Sequence, residues 1–264
     1  MMGRRSIEPG PALRRAAAAL ALCAGGMSVQ ASDGVSPTPY RPTVSNPAEL
    51  PQPGWIEWEL GLDRQHDGAL RRHALPYAAK LAFDENWGVI VGGDLQVRES
   101  VEGRGKTSGG DTTLMLKHRL ATGDPDRNFG VELGFKAPTA GAGLGSGRTD
   151  WTINSVLSQD FAGSWRLDAN LGATRLGGSE TGQGRTLTQW AASLSRVAGE
   201  WTLAGEISGQ RQGGVRAGAQ WLVAASYALS PHCMVDAGFR RGLQGWRGQH
   251  ALFVGGTWLV GRLF

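Results

Sequence analysis

The sequence predicts an all-β fold, a transmembrane antiparallel up-and-down β-barrel of about twelve strands with short periplasmic turns and longer extracellular loops. Three observations predict it. Aromatic residues recur directly after short turns, at Trp87, Phe129, Trp165 and Trp201, spaced by 42, 36 and 36 residues. That interval is one round trip of a long hairpin returning to the same level, and such rings gather where hydrocarbon meets water, here as a periplasmic girdle. Between the aromatics the chain alternates apolar and polar residues, and its last residue, Phe264, ends the final strand on an aromatic.

The first 31 residues read as a signal peptide. Arg4, Arg5, Arg14 and Arg15 precede an apolar run from Ala16 to Leu22, and Val29-Gln30-Ala31 supplies the small residues that place cleavage after Ala31. Lipid attachment at Cys23 is the alternative, opposed by the bulk of Leu22 before it. Removing residues 1–31 takes away four arginines and one glutamate, a net +3, so the formal charge of +4 falls to +1. The basic character therefore sits in the leader and gives no support to nucleic-acid binding. Cys233 is the single cysteine left after processing, so no internal disulfide forms.

Residues 32–53 carry Pro37, Pro39, Pro42, Pro47, Pro51 and Pro53 without alternation, which predicts an extended lead-in and no strand. The barrel is assigned to 54–264. In its first strand Ile56, Trp58, Leu60 and Leu62 face one way and Glu57, Glu59 and Asp63 the other, as the two-residue period of a strand requires. The second runs through Leu75, Tyr77 and Phe83 around Lys80. The third sets Trp87, Val89, Leu95 and Val97 against Asp94 and Arg98. The fourth places Lys117 and Arg119, and the fifth Glu132 and Lys136, opposite leucines and phenylalanines.

Runs at 149–159, 165–176, 186–196, 201–211, 216–229, 233–241 and 249–264 bring the count to twelve, an even number that leaves both termini on one side. Short turns such as Asp84–Asn86 and Ala162–Ser164 alternate with the longer Glu99–Gly110, Thr139–Arg148 and Gly177–Arg185. A soluble sandwich also alternates, but strands of roughly ten residues exceed the five or six usual in soluble sheets. In the last strand Arg262 occupies an outward position, which calls for snorkelling or a bulge. Phe264 is the expected signal for the barrel-assembly machinery.

The predicted lumen-lining residues are Glu57, Glu59, Lys80, Asp94, Arg98, Lys117, Arg119, Glu132, Lys136, Arg166, Asp168 and Glu206. With Asp63, Asp111, Asp236 and Arg240 the polar face holds nine acids and seven bases. Buried charges need partners, so this mixture predicts ion pairs that narrow the passage or fill it. A weakly ion-selective pore and a filled, rigid lumen both remain open. Outer-loop cations including Arg71, Arg104, Arg148 and Arg185 suit lipopolysaccharide, and the apolar face suits outer-membrane lipid. The glycines at 141–147 miss the G-x-G-x-x-G pattern, no histidine pairs with a serine in a nucleophile motif, and no histidines share ligand spacing, so no catalytic residue, cofactor or metal is predicted.

Gly110-Asp111-Thr112-Thr113-Leu114-Met115-Leu116-Lys117, Ala137-Pro138-Thr139, Leu144-Gly145-Ser146-Gly147, Asp150 and the lead-in Arg41-Pro42-Thr43-Val44-Ser45-Asn46-Pro47 together give the chain a family likeness. It resembles the transporter-like outer-membrane barrels associated with the meta-pathway of phenol degradation. The resemblance implies a barrel that passes small, often aromatic or apolar compounds, and it carries over no catalytic residue. The expected function is passive uptake of small solutes across the outer membrane. A non-transporting structural or surface-interaction barrel is the alternative, and an outer-membrane lipid-modifying enzyme the third reading.

Overall fold

Strict alternation over ten or more residues gives each segment two unlike faces, and a sheet closed on itself can hide one while satisfying every backbone group. The structure, a computed structural model that describes residues 34–141 and 143–264, has this arrangement. Leader residues 1–31 and Ala31 lie outside the described residues. Among those described, the strands are β1 (Trp55–Asp67), β2 (Leu70–Ala82), β3 (Trp87–Val101), β4 (Arg104–Ser108), β5 (Thr112–Ala121), β6 (Arg127–Ala137), β7 (Asp150–Phe161), β8 (Trp165–Arg175), β9 (Thr186–Ala198), β10 (Trp201–Gln212), β11 (Gly218–Ser230), β12 (Cys233–Gly242) and β13 (Gln249–Arg262). Sequential neighbours pair antiparallel, except that β3 skips β4 to pair with β5, and β1 pairs with β13 to close the barrel. Twelve strands form the wall, as predicted.

The thirteenth is β4, which pairs with the far end of β3 alone. A loop was expected over Glu99–Gly110. Instead Glu102 (φ 50°) and Gly103 (φ 83°) make a two-residue turn with both central residues left-handed, the geometry that matches strand twist, and the chain folds back on itself.

Alternation sets most of the facing. Leu133, Leu171, Leu203, Ile207 and Leu252 are exposed on the outer surface, while Glu57, Lys80, Lys117 and Glu132 are among the largest fully buried side chains. An apolar belt outside and charge inside is the pattern of a barrel solvated by lipid.

One predicted facing is overturned. Between the pairs Ala74↔Val97 and Pro76↔Asp94, β2 advances two residues and β3 three, so β3 carries a bulge that inverts its phase. Val97, expected outside, is 2% exposed. Arg98, expected in the lumen, is exposed. A second bulge lies at Val260, where Ile56 pairs with Gly261 and Glu57 with Leu259. Beyond it Arg262 is exposed and donates to the carbonyl of Phe264 at 2.5 Å.

The aromatic series occupies the end of the barrel where the connections are short. Trp87, Trp165 and Trp201 open β3, β8 and β10, Phe129 is the third residue of β6, and all four are exposed. Trp87 stacks on His118 at 4.0 Å and Trp201 leans on Tyr227 at 4.8 Å. At the opposite end Trp151 meets Phe135 edge-on at 4.9 Å.

Candidate functional site: the plugged lumen

Residues 36–53 form no strand, so their backbone amides need acceptors elsewhere. The lumen supplies them. The amide of Thr38 donates to Glu57 (2.8 Å), that of Tyr40 to Glu59 (2.6 Å), those of Val44 and Ser45 to Glu206 (both 2.8 Å), and that of Ala48 to the Ser158 hydroxyl (2.8 Å). The segment therefore lies inside the barrel as a plug. It is fixed at its exit, where the Gly54 amide donates to Ala82 (2.9 Å) and the Leu263 amide to Gly54 (2.7 Å). Val44 forms its far tip, beside Gln220 and Trp246.

Toward β1–β6 the plug is held by charge. Lys80 Nζ lies 2.5 Å from Glu57 Oε1, an ion pair without hydrogen-bond alignment, and donates to Glu59 Oε1 at 2.5 Å and to the Thr38 carbonyl at 2.7 Å. Lys117 pairs with Glu132 at 3.1 Å and donates to the Tyr40 hydroxyl (2.7 Å) and the Pro47 carbonyl (2.5 Å). Both pairs are set by strand register, since Glu57 faces Lys80 and Lys117 faces Glu132 across the ladder. The Tyr40 ring sits between the two ammonium groups, 4.1 and 4.3 Å from its centroid. Asn46 reaches Glu132 at 3.3 Å; outside this wall, Arg41 makes a two-pronged pair with Asp236 of β12 (2.9 and 3.1 Å), and Glu49 bridges Arg166 of β8 and Asn128 of β6.

Toward β8–β11 the wall is different. On the far side of the plug tip a cavity of about 280 Å³ is lined by Val44, Met115, Asn170, Gln189, Ser208 and Gln220, and Asn170 Oδ1 is buried there without a hydrogen-bond partner. On the near side a cavity of about 270 Å³ is lined by Thr43, Ser193, Ser195, Thr202, Ala204 and Ser226, with the paired charges of Arg41, Glu49, Arg166 and Asp168 at its border. Between them Ser45 Oγ donates to Ser193 Oγ (2.8 Å) and lies 3.0 Å from Glu206 Oε2.

The sequence-selected residues therefore divide. Glu57, Glu59, Lys80, Lys117, Glu132, Asp168 and Glu206 are buried within the lumen, with Arg166 beside Asp168 at 3.1 Å. Lys136 instead bridges Asp111 (2.9 Å) and Asp150 (2.8 Å), where β5, β6 and β7 meet the longer connections. Asp94 pairs with Arg72 (2.7 Å) and Arg119 donates to Asn128 (3.0 Å). Arg98 leaves the set. Tyr40, Arg41, Ser45, Asn46, Glu49, Ser158 and Ser193 were not singled out as site residues. Their signal was the imbalance of nine acids against seven bases, which left carboxylates in need of donors from outside the wall.

A twelve-stranded barrel of outer-membrane type, stoppered by its own chain, is the class these features define. The chain belongs to the family described as "Putative MetA-pathway of phenol degradation", whose family model matches residues 72–259, a span that starts inside β2. Among solved structures it is similar to an outer membrane channel from Pseudomonas putida F1, with a TM-score of 0.64 and 11% identity over 85% of this chain and 99% of that one. It is also similar to the NanC porin (TM-score 0.56, 7% identity, 76% of this chain and 98% of that one) and the KdgM porin (TM-score 0.54, 7% identity, 76% and 98%). At these identities the likeness is one of fold. No curated protein matches the chain.

Proposed function

We propose that the protein is an outer-membrane channel for passive uptake of small solutes, narrowed at rest by residues 36–53. The observation that carries this reading is the pair of cavities lying end to end along β8–β11, separated by one row of contacts at Ser45. A lumen filled only for rigidity would leave no such space beside the plug. The solutes are small compounds, including the aromatic or apolar ones that the family description suggests. Transport down a gradient asks for no catalytic residue and no cofactor.

The same reading makes residues 1–31 a signal peptide cleaved after Ala31, the four short-turn aromatics an interfacial girdle, and Phe264 the signal read by the assembly machinery. The outer-loop arginines contact lipopolysaccharide. The fully buried ion pairs of Lys80 and Lys117 favour a second reading, a structural barrel with a permanently filled lumen. Purified mature chain in liposomes decides between them. Conductance in planar bilayers, with flux of a neutral monoaromatic solute into vesicles, is the expected result; a folded, heat-modifiable protein showing neither leaves the structural barrel.

A further inference from the structure

Glu206 differs from the other buried carboxylates that meet the plug. Glu57 and Glu59 share Lys80, Glu132 has Lys117, Asp168 has Arg166 and Asp236 has Arg41. Among the described residues Glu206 has no cationic partner. Its Oε2 accepts the amides of Val44 and Ser45 and lies 3.0 Å from the Ser45 hydroxyl oxygen, and its Oε1 is buried without a hydrogen bond.

Its position is as distinctive as its pairing. Glu206 faces Ser193 across the β9–β10 ladder. Inward residues one step toward the longer connections, Ala191 and Ser208, line the far cavity, and those one step toward the short turns, Ser195 and Ala204, line the near one. Glu206 and Ser193 thus stand at the septum, with Ser45 closing it from the plug. The side chains beside Glu206 on β9 and β10 are hydroxyls and alanine, and the two cations that also border the near cavity, Arg41 and Arg166, are each already paired with carboxylates, Asp236 for the first and Asp168 and Glu49 for the second, so neither neutralises Glu206.

Resting on the channel reading above, we propose that the route for solutes runs along β8–β11 and that Glu206, with Ser45 and Ser193, is its selectivity constriction. A solute passing there displaces the Ser45 contacts and meets an uncompensated negative charge between low-dielectric walls, which focus its field. Neutral and cationic solutes pass; anions are rejected. The wall hydroxyls offer both donors and acceptors, so a neutral solute with a hydroxyl or amide group replaces the hydrogen bonds that Ser45 gives up.

Planar-bilayer recordings of the mature chain in a KCl gradient test this. Wild type is expected to show a reversal potential of cation-preferring sign. Glu206→Gln should move it to zero while keeping the heat-modifiable band. Ser195→Lys, on the wall of the near cavity, should displace it toward anion preference and serves where Glu206→Gln fails to fold. A conducting Glu206→Gln channel with the wild-type reversal potential overturns the assignment of Glu206. An unmoved potential in Ser195→Lys overturns the route. Folded wild type with neither conductance nor solute flux overturns the channel reading itself, a result distinct from the other two.

Discussion

The plug meets two unlike walls. On the β1–β6 side it is caught between Lys80 and Lys117, each fully buried and each in contact with a carboxylate of the wall and a carbonyl of the plug. On the β9–β11 side, past the Arg166–Glu49 pair at β8, it touches small hydroxyl groups and the single carboxylate of Glu206, and leaves a cavity before and after the contact. Buried charges cannot separate without leaving one of them bare, whereas hydroxyl contacts can be exchanged for water or solute at little cost. One segment can therefore be anchored along one edge and yielding along the other. Such a difference allows a narrow passage to open without expelling the plug.

The largest effect expected is from removing the plug. Replacing residues 36–50 by a Gly/Ser sequence of equal length should raise single-channel conductance several-fold in a barrel that still shows a heat-dependent mobility shift. Unchanged conductance would mean that the segment obstructs nothing. Next comes Lys80→Met, which strands Glu57 and Glu59 without a cation and should cost on the order of 3–5 kcal/mol in urea unfolding from lipid vesicles. Ser193→Ala removes one hydroxyl contact to Ser45 on the opposite wall and should cost only about 0.5–1.5 kcal/mol. Equal losses in these two variants would erase the distinction between the walls.

The smallest effect concerns acid. Burial pushes the Asp111 carboxyl up, but its hydrogen bonds with Lys136 and the Ala140 amide and the Lys136 charge together outweigh this and hold it below the usual carboxylate range. A depressed folded-state pKa contributes stability at pH above the unfolded value, lost as pH falls through the folded one. The connection 138–149 should keep its resistance to limited proteolysis from pH 7 to pH 5 and lose it only below the ordinary carboxylate range. Loss between pH 6 and pH 5 would show that this cluster does not hold the connection.

The barrel was legible because alternation is a local property. Glu57 and Trp58 declare their faces whatever the partner strand does. The bulges were not legible in the same way: nothing in Leu95-Gln96 marks an extra residue, because a bulge is a mismatch between two strands. β4 was hidden by Arg104 and Lys106, which read as loop residues yet fit the exposed edge of a hairpin, where charge discourages pairing with another chain. The plug lacked any periodic signal. Its partners are up to 195 positions away, so the Arg41–Asp236 pair has no local trace. What the sequence did carry was a surplus of lumen acids. The loss of Arg98 to the outer face enlarges that surplus, and Arg41 together with the plug's amides answers it.

The fixed exit at Gly54 has one further consequence. Because the plug is continuous with β1, its release and return are events within one molecule, and its local concentration beside the lumen is set by a short tether and does not depend on how much protein is present. For short flexible tethers that concentration is roughly millimolar. A contact at Ser45 that would be as weak as about 1 mM between separate molecules is therefore engaged about half the time here. A free peptide copied from residues 36–53 would compete with its tethered counterpart only above that range, so resting closure follows from covalent attachment as much as from the hydrogen bonds.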